Sequence, residues 1–532
     1  MKNQFKFYFL SCLAIAVISF VVLYPSFNLA FQDDDWRGVV LPKTDYADGR
    51  LFTPYGIQLW FDGILYDIFN SNFYLYYILS FVLRNLVALG ILLFIFNLTK
   101  DRLAAVLGAL LFVVGFSGLQ TTYETASTNV YISLVFWLIF LGAFFKSLDK
   151  FSFKYLVISG VSLLLATLAS PVRTYPLYGW AIIVGVIRMF KKFNNERLKL
   201  FLVSSLSIGG IFLFLYYLGI FGWFSLDATS ASKINDLSTF FTKLTSFISN
   251  LNFKIFLNFL RGLGNIIFPS ILDKTGVIST LFGATLLIAL TISAYLVIKR
   301  RDEKMQIMFA FLLWPLLFYV SYFIVILAGY TTGRETIILE SPRRYLLPPF
   351  MGFSIGLAYT IHLARKRKGS ILLLILIISL FFIHAVSTYT FLNKLSKQRD
   401  GFYMVKIWKQ IKQIVPESSL SSKKTNVFYF ETDGSPRAIY TVNDGFIGHA
   451  IALYKIENKP SKLNPKEISA FGDLLAPPII TFEELVSYTR KNLLDDKEPE
   501  IWDRIFALRV EGERVIDIKD DVKKRVKISL DK

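Results

Sequence analysis

Residues 74–96 read "YLYYILSFVLRNLVALGILLFIF", a run long enough to cross a bilayer core of roughly 30 Å as a helix. Arg84 is its one charged residue and lies near its middle. A guanidinium at that depth costs a few kcal/mol or more on insertion scales, so it must face a polar cavity and a partner. The stretch therefore implies both a membrane helix and a polar interior behind it.

The rest of the chain agrees. Of its 532 residues 54% are hydrophobic and only 18% charged, a composition outside the soluble range and typical of polytopic membrane proteins. The formal charge of +19 does not point to nucleic acid, because Lys and Arg are scattered between apolar runs, where topology control explains them. The single cysteine, Cys12, excludes an intramolecular disulfide and a cysteine metal site. The basic N-terminus with its long apolar core reads as an uncleaved anchor.

The pattern predicts an α-helical polytopic membrane protein with about eleven spans: 7–27, 73–97, 103–118, 129–146, 154–170, 176–190, 200–222, 277–298, 305–328, 345–363 and 370–391. Basic clusters such as "KSLDKFSFK", "KKFNNERLK", "KRRDEK" and "ARKRKG" fall on alternate connections, which the positive-inside rule makes cytoplasmic. The first outer loop (28–72), "GLQTTYETASTN", "SPVRTYP", the 223–276 connection and "TTGRETIILESPRRY" are then extracytoplasmic. The expected organisation is a transmembrane domain over 1–391 and a small soluble α/β domain over 392–532, outside, where charged residues become frequent. There "NVFYF" reads as a strand and "RIFALRVEGERVIDI" as a hairpin around Glu511-Gly512. The setting is a cell membrane, of prokaryotic cytoplasmic type, with the N-terminus cytoplasmic.

Within the first outer loop, "TPYGIQLWFDGILYDIF" starts with Thr53 as N-cap and Pro54 as first helical residue. Its apolar residues recur at helical spacing, as in a helix lying in the membrane interface. Upstream, "FQDDDWR" (31–37) places Asp33, Asp34 and Asp35 together. Neighbouring side chains diverge in any regular backbone, so at most two of them serve one site. The run is either an acidic flank or the acid/base equipment of a surface site. Glu124, in "TTYETAS", is a further outer carboxylate or an ordinary loop acid. Arg173, Arg334 and Arg343-Arg344 stand at outer ends of spans. With Arg84 they form a set of fixed positive charges suited to phosphate oxygens, the alternative for Arg343-Arg344 being interfacial snorkelling. Carboxylates and arginines on one side of a lipid-embedded core suit chemistry on a lipid-borne phosphate. One group takes the acceptor's proton, and the others stabilise charge on the departing phosphate.

An "Asp-Asp-Trp" start (Asp34, Asp35, Trp36), a downstream "GRLFTP" (Gly49, Arg50 to Pro54), a polar second span and a late "RRYLLPP" resemble the GT-C glycosyltransferase superfamily. The similarity is to the protein O-mannosyltransferase and aminoarabinose-transferase group, family 39 in the broad sense. The resemblance implies a polyprenyl-phosphate-linked sugar donor, an inverting transfer, and a base in the first outer loop. Asp34 matches the first acid of the pair and Asp35 the second, Arg84 matches an arginine of the second span, and Trp36, Arg50 and Pro54 structure the loop. Three aspartates stand where a pair is usual, so the base can shift by one residue. The acceptor is a glycan, lipid or protein, and the bilayer is the remaining partner. No cofactor is called for by any motif, although adjacent carboxylates are ligands that Mg or Mn accept. Two rival classes remain, an oligosaccharide polymerase or ligase and a transporter or flippase of polyprenyl-linked sugars. The transporter would normally show paired broken helices or internal symmetry, and the sequence shows neither.

Overall fold

The computed structural model describes residues 2–31, 35, 56–69, 72–149, 152–189, 205, 208–211, 253–300, 302–329, 340–365, 370–420, 426–443, 446, 478–496 and 501–530. In chain order the main helices are α1 (Lys2–Leu23), α2 (Gly56–Phe69), α3 (Phe73–Thr99), α4 (Arg102–Val114), α5 (Asn129–Asp149), α6 (Phe153–Ala169), α7 (Pro171–Met189), α8 (Phe253–Gly264), α9 (Val277–Arg300), α10 (Glu303–Gly329), α11 (Leu347–Ala364), α12 (Ser370–Gln398), α13 (Gly401–Ile414), α14 (Pro436–Val442), α15 (Phe482–Asp496) and α16 (Lys519–Leu530). Three strands, β1 (Val427–Thr432), β2 (Ile505–Glu511) and β3 (Arg514–Asp517), form one sheet. The chain divides into two compact units. One comprises 1–24, 49–61 and 77–391, the other 25–48, 62–76 and 392–532.

Among the described residues seven helices are long and apolar enough to cross a membrane. A helix occupies each predicted span except 200–222, most of which lies outside the described residues. The stretch 103–118 does not behave as the span expected of it. Helix α4 has 13 residues, about 20 Å at 1.5 Å per residue, well short of a hydrocarbon core. It starts beside the end of α3, after a two-residue turn in which Lys100 adopts φ 56° and Asp101 caps the helix by accepting from the amides of Leu103 and Ala104.

The chain then turns back within the protein. Ser117, Thr121, Thr122, Glu124, Thr125 and Ser127 are all buried, so the stretch expected as an outer connection forms a polar plug inside the helical unit. Its backbone is satisfied by the surrounding helices, as burial requires. The Phe116 amide donates to His384 Nδ1 at 2.9 Å, and Nε2 of the same ring donates to Ile267 O at 2.9 Å. The amides of Gly118 and Gln120 donate to Ser341 O and Pro342 O, each at 2.7 Å. Gly118 sits at φ 76°, and a Cβ there would meet the Leu347 backbone at 2.5 Å, so only glycine fits.

Arg84 is what allows α4 to stop there. It lies 15 residues before the end of α3, about 22 Å along its axis, level with the end of α4 by the same helical rise. Fully buried, it donates through Nε to Val113 O at 2.9 Å, through Nη2 to Gly115 O at 2.5 Å and Phe112 O at 3.4 Å, and through Nη1 to Thr122 Oγ1 at 2.6 Å and Tyr131 OH at 3.4 Å. All five guanidinium N–H groups are thereby committed. They take carbonyls that a helix end leaves without partners.

In the second unit, β1 pairs parallel with β2, and β2 pairs antiparallel with β3. The hairpin expected around Glu511-Gly512 is present, with Glu511 opposite Arg514 and Gly512 at φ 56°, the conformation that tight hairpin turns demand. The β1 sequence "VFYFET" alternates faces. Phe428 and Phe430 join the cluster of Tyr403, Ile407 and Trp408 from α13, whereas Val427 and Tyr429 join that of Leu485, Val522 and Val526 from α15 and α16. Helices cover both faces of the sheet, which explains the unbroken apolar run in the strand.

At the end of β1, Glu431 receives Arg509 and Arg525, each at 2.7 Å, and the Tyr429 hydroxyl at 3.1 Å. Burial opposes the Glu431 charge, but the hydrogen bonds from Arg525 and Arg509 prevail and hold its carboxyl below the usual carboxylate value. The folded form binds the proton less readily than the unfolded chain. Its stabilisation is therefore complete above the ordinary value of 4.5 and is lost as pH falls through the lower folded value. Limited proteolysis of residues 392–532 in the intact protein should accelerate on acidification below about pH 4.5, and less steeply in Glu431→Gln, whose baseline stability is lower.

A second expectation concerns Arg84. Arg84→Met strands buried carbonyls, each worth about 1–3 kcal/mol, so the detergent-solubilised protein should lose its monodisperse elution at a markedly lower temperature than wild type. Arg84→Lys, with three donors in place of five, should restore only part of that loss.

Candidate functional site

The helical unit brings together Glu124, Arg173 and Arg344 of the predicted residues. Glu124 follows a single helical turn (Gln120–Tyr123) in the plug and is fully buried. Arg344 opens the short 3-10 turn that leads into α11. Its backbone amide donates to Gln120 Oε1 at 3.1 Å, while its Nη1 donates to Glu124 Oε1 at 2.7 Å and to Ser127 Oγ at 3.0 Å. The side chain remains 26% exposed.

Arg173, in the first turn of α7, is buried and donates to Ser170 Oγ at 3.0 Å. Tyr345 links the two arginines, with the guanidinium carbon of Arg173 5.2 Å and that of Arg344 5.9 Å from its ring centroid. These distances suit cation–π attraction. Tyr322 of α10 closes the group, its hydroxyl donating to Arg173 O at 2.9 Å and its ring lying 5.8 Å from that of Tyr345.

The other predicted residues are placed differently. Arg84 lies at the end of α4 with every donor used, so the phosphate-binding role expected of it gives way to a structural one. Arg343 is exposed and apart from the ion pair that its neighbour makes. Asp33, Asp34, Trp36, Arg50, Pro54 and Arg334 lie outside the described residues, as does the Thr53 cap. The helix predicted downstream is α2, where Trp60, Ile64 and Ile68 form an exposed apolar stripe at four-residue spacing, as an interfacial helix requires.

Asp35 is described and belongs to the second unit. It is fully buried, with its carboxylate 3.8 Å from Arg399 Nη2. Arg399 also donates to Ala30 O at 2.8 Å, while the Ala30 amide donates to Arg399 O at 2.8 Å. The Tyr440 hydroxyl, below whose ring centroid the guanidinium sits at 5.6 Å, donates to Phe31 O at 3.1 Å. Asn28 Nδ2 donates to the Asp400 carboxylate at 3.2 Å. Residues 28–31 and Asp35 are thus strapped to 399–440, with Arg399 at the centre. Nothing in "KQRD" announced this, because the two segments are remote in sequence and Arg399 reads as an ordinary charge at a helix end.

No group of three or more His, Cys, Asp or Glu among the described residues could hold a metal ion.

No family model matches the chain, and no curated protein does. Among solved structures it is similar to the crystal structure of the Archaeoglobus fulgidus oligosaccharyltransferase in complex with Zn and sulfate, at 14% identity and a TM-score of 0.43, over 94% of this chain and 67% of that one.

If Arg399 holds the strap, Arg399→Met should raise amide exchange across residues 28–31 at least tenfold, with β1 and β2 unchanged. Equal exchange in wild type and variant would assign the strap to its remaining hydrogen bonds.

Proposed function

We propose that the protein is a membrane glycosyltransferase that moves a sugar from a polyprenyl-phosphate donor to an acceptor on the extracytoplasmic side. The observation that carries this is the group of Arg173, Tyr345 and Arg344, with Glu124 fixing one of the two guanidinium forks. Such an arrangement can hold the non-ester oxygens of a phosphate bidentately while staying charged. The sequence motifs around Asp34 and Arg344, with their resemblance to the GT-C group, support the same chemistry.

In the proposed reaction an acceptor hydroxyl or amine gives its proton to the carboxylate of Asp34 as its oxygen or nitrogen attacks the anomeric carbon. The bond from that carbon to the phosphate oxygen breaks with inversion, and its electron pair leaves on the lipid phosphate. Arg173 and Arg344 stabilise the charge gathering there, more strongly as the bond breaks, so their effect falls mainly on turnover. Glu124 positions Arg344 and lowers the cost of keeping it in place when no donor is bound. Asp35, paired with Arg399, orients the acidic run. The exposed stripe of α2 keeps the first outer loop at the membrane surface. Neither a cofactor nor a divalent ion is required by these steps.

The test is sugar transfer or release from radiolabelled polyprenyl-phosphate sugars by the purified protein, with and without an acceptor extract. Arg173→Gln and Arg344→Gln should each lower turnover by at least tenfold, since a desolvated charge-assisted contact is worth roughly 2–5 kcal/mol. Asp34→Asn should lower it by about 10²–10⁴-fold with donor binding nearly intact. Full activity in all three variants would remove these residues from the reaction, and inert protein across a panel of donors would end the proposal.

A further inference from the structure

A separate feature lies along α3 and α5. The two helices run side by side in the same direction. A Cβ on Gly90 would lie 2.7 Å from the Leu138 side chain, and further along the rings of Phe94 and Phe145 are 6.1 Å apart. Between them is a groove of about 480 Å³ that extends from Leu86 and Val135 to Leu98 and Lys146. Twelve helical rises from Leu86 to Leu98, at 1.5 Å each, make it about 18 Å long, slightly more than half of a hydrocarbon core. Gly142 opens it, since a Cβ there would meet nothing within 4 Å. Leu86, Leu93 and Ile139 on its rims are exposed, as side chains facing hydrocarbon should be.

The groove is not apolar throughout. Lys146 and Asn97, both exposed, line the end towards which both helices run. The Lys146 ammonium rests 5.0 Å from the Tyr155 ring centroid and makes no hydrogen bond or ion pair among the described residues. Lys100, Arg102 and Lys154 lie on the segments that continue from these helices, and all are exposed.

We propose that this groove binds one anionic phospholipid, with an acyl chain between α3 and α5 and its phosphate at Lys146 and Asn97. The length matches a chain confined to one leaflet. The ammonium stands where a headgroup phosphate would lie, and three donor hydrogens plus an amide suit its oxygens. The excess of basic residues at this end favours a net negative headgroup over a zwitterionic one. Neither Lys146 nor Gly142 belongs to the machinery proposed above, so the inference stands apart from it.

The full-length protein, released from mixed micelles of phosphatidylglycerol and phosphatidylcholine, would be examined by native mass spectrometry. Wild type should retain one phosphatidylglycerol in preference to phosphatidylcholine by about fivefold, the effect of one lysine near a charged headgroup. Lys146→Gln should lose the preference while still retaining a lipid. Gly142→Leu, whose side chain projects into open space and fills the groove, should retain neither. Equal retention of both lipids by wild type, or an unaltered preference in both variants, would overturn the proposal. So would selective displacement of the bound lipid by polyprenyl phosphate added at an equal concentration, which would give the groove to that carrier.

Discussion

A helix can end inside a membrane only if something takes its last carbonyls, and in this protein Arg84 does so. Its side chain spans the gap from α3 to the end of α4 and meets Phe112, Val113 and Gly115 together with the hydroxyls of Thr122 in the plug and Tyr131 on α5. A lysine has too few donors, and a serine or asparagine on α3 would not reach. Because the guanidinium ends α4 early, the chain has room to run residues 115–128 through the interior rather than around it. The polar plug, and with it the position of Glu124, depends on that one set of hydrogen bonds.

The plug in turn determines where the candidate anion site forms. Gly118 and Gln120 draw the 341–344 segment against the plug through backbone hydrogen bonds, and Gln120 and Glu124 orient Arg344 from the same side. The pairing of Glu124 with Arg344 is better seen as placement than as a source of stability, since desolvating two charges offsets most of their attraction. What the pair secures is a fork held in one orientation. Arg173 reaches the same tyrosine from α7, so three segments distant in sequence converge on Tyr345.

Much of this could be read from the chain alone, for reasons that differ between elements. The spans were legible because hydrocarbon imposes length and apolarity on every helix that faces it. The hairpin at Gly512 was legible because two alternating strands around a glycine have few other uses. Arg84 was recognisable as an anomaly, but its partner was not. A buried guanidinium can donate to a phosphate, a carboxylate or a row of carbonyls, and the last of these leaves no mark in the sequence. The same gap hid His384, which reads as a lone imidazole in an apolar helix yet joins the Phe116 amide to the Ile267 carbonyl. Arg399 escaped notice because its partners, Ala30 and Asp35, are more than 350 residues away in sequence.

The short helix α4 carries a more general consequence. A sequence window scores residues 103–118 as a weak span because the apolar run is too brief, and no refinement of hydropathy would decide where the chain goes after it. The deciding fact is whether donors exist elsewhere in the chain at the depth where the run ends. Here they do, Arg84 at the carbonyls of the last turn and Thr388 at Val114 O at 2.9 Å, while His384 accepts from the Phe116 amide just beyond. Each of these would be an unexplained polar residue in its own apolar span, and each is explained by the same broken helix. Polar residues scattered over several spans of one protein are therefore best read together, as the complement of a short span, before any of them is assigned to a ligand.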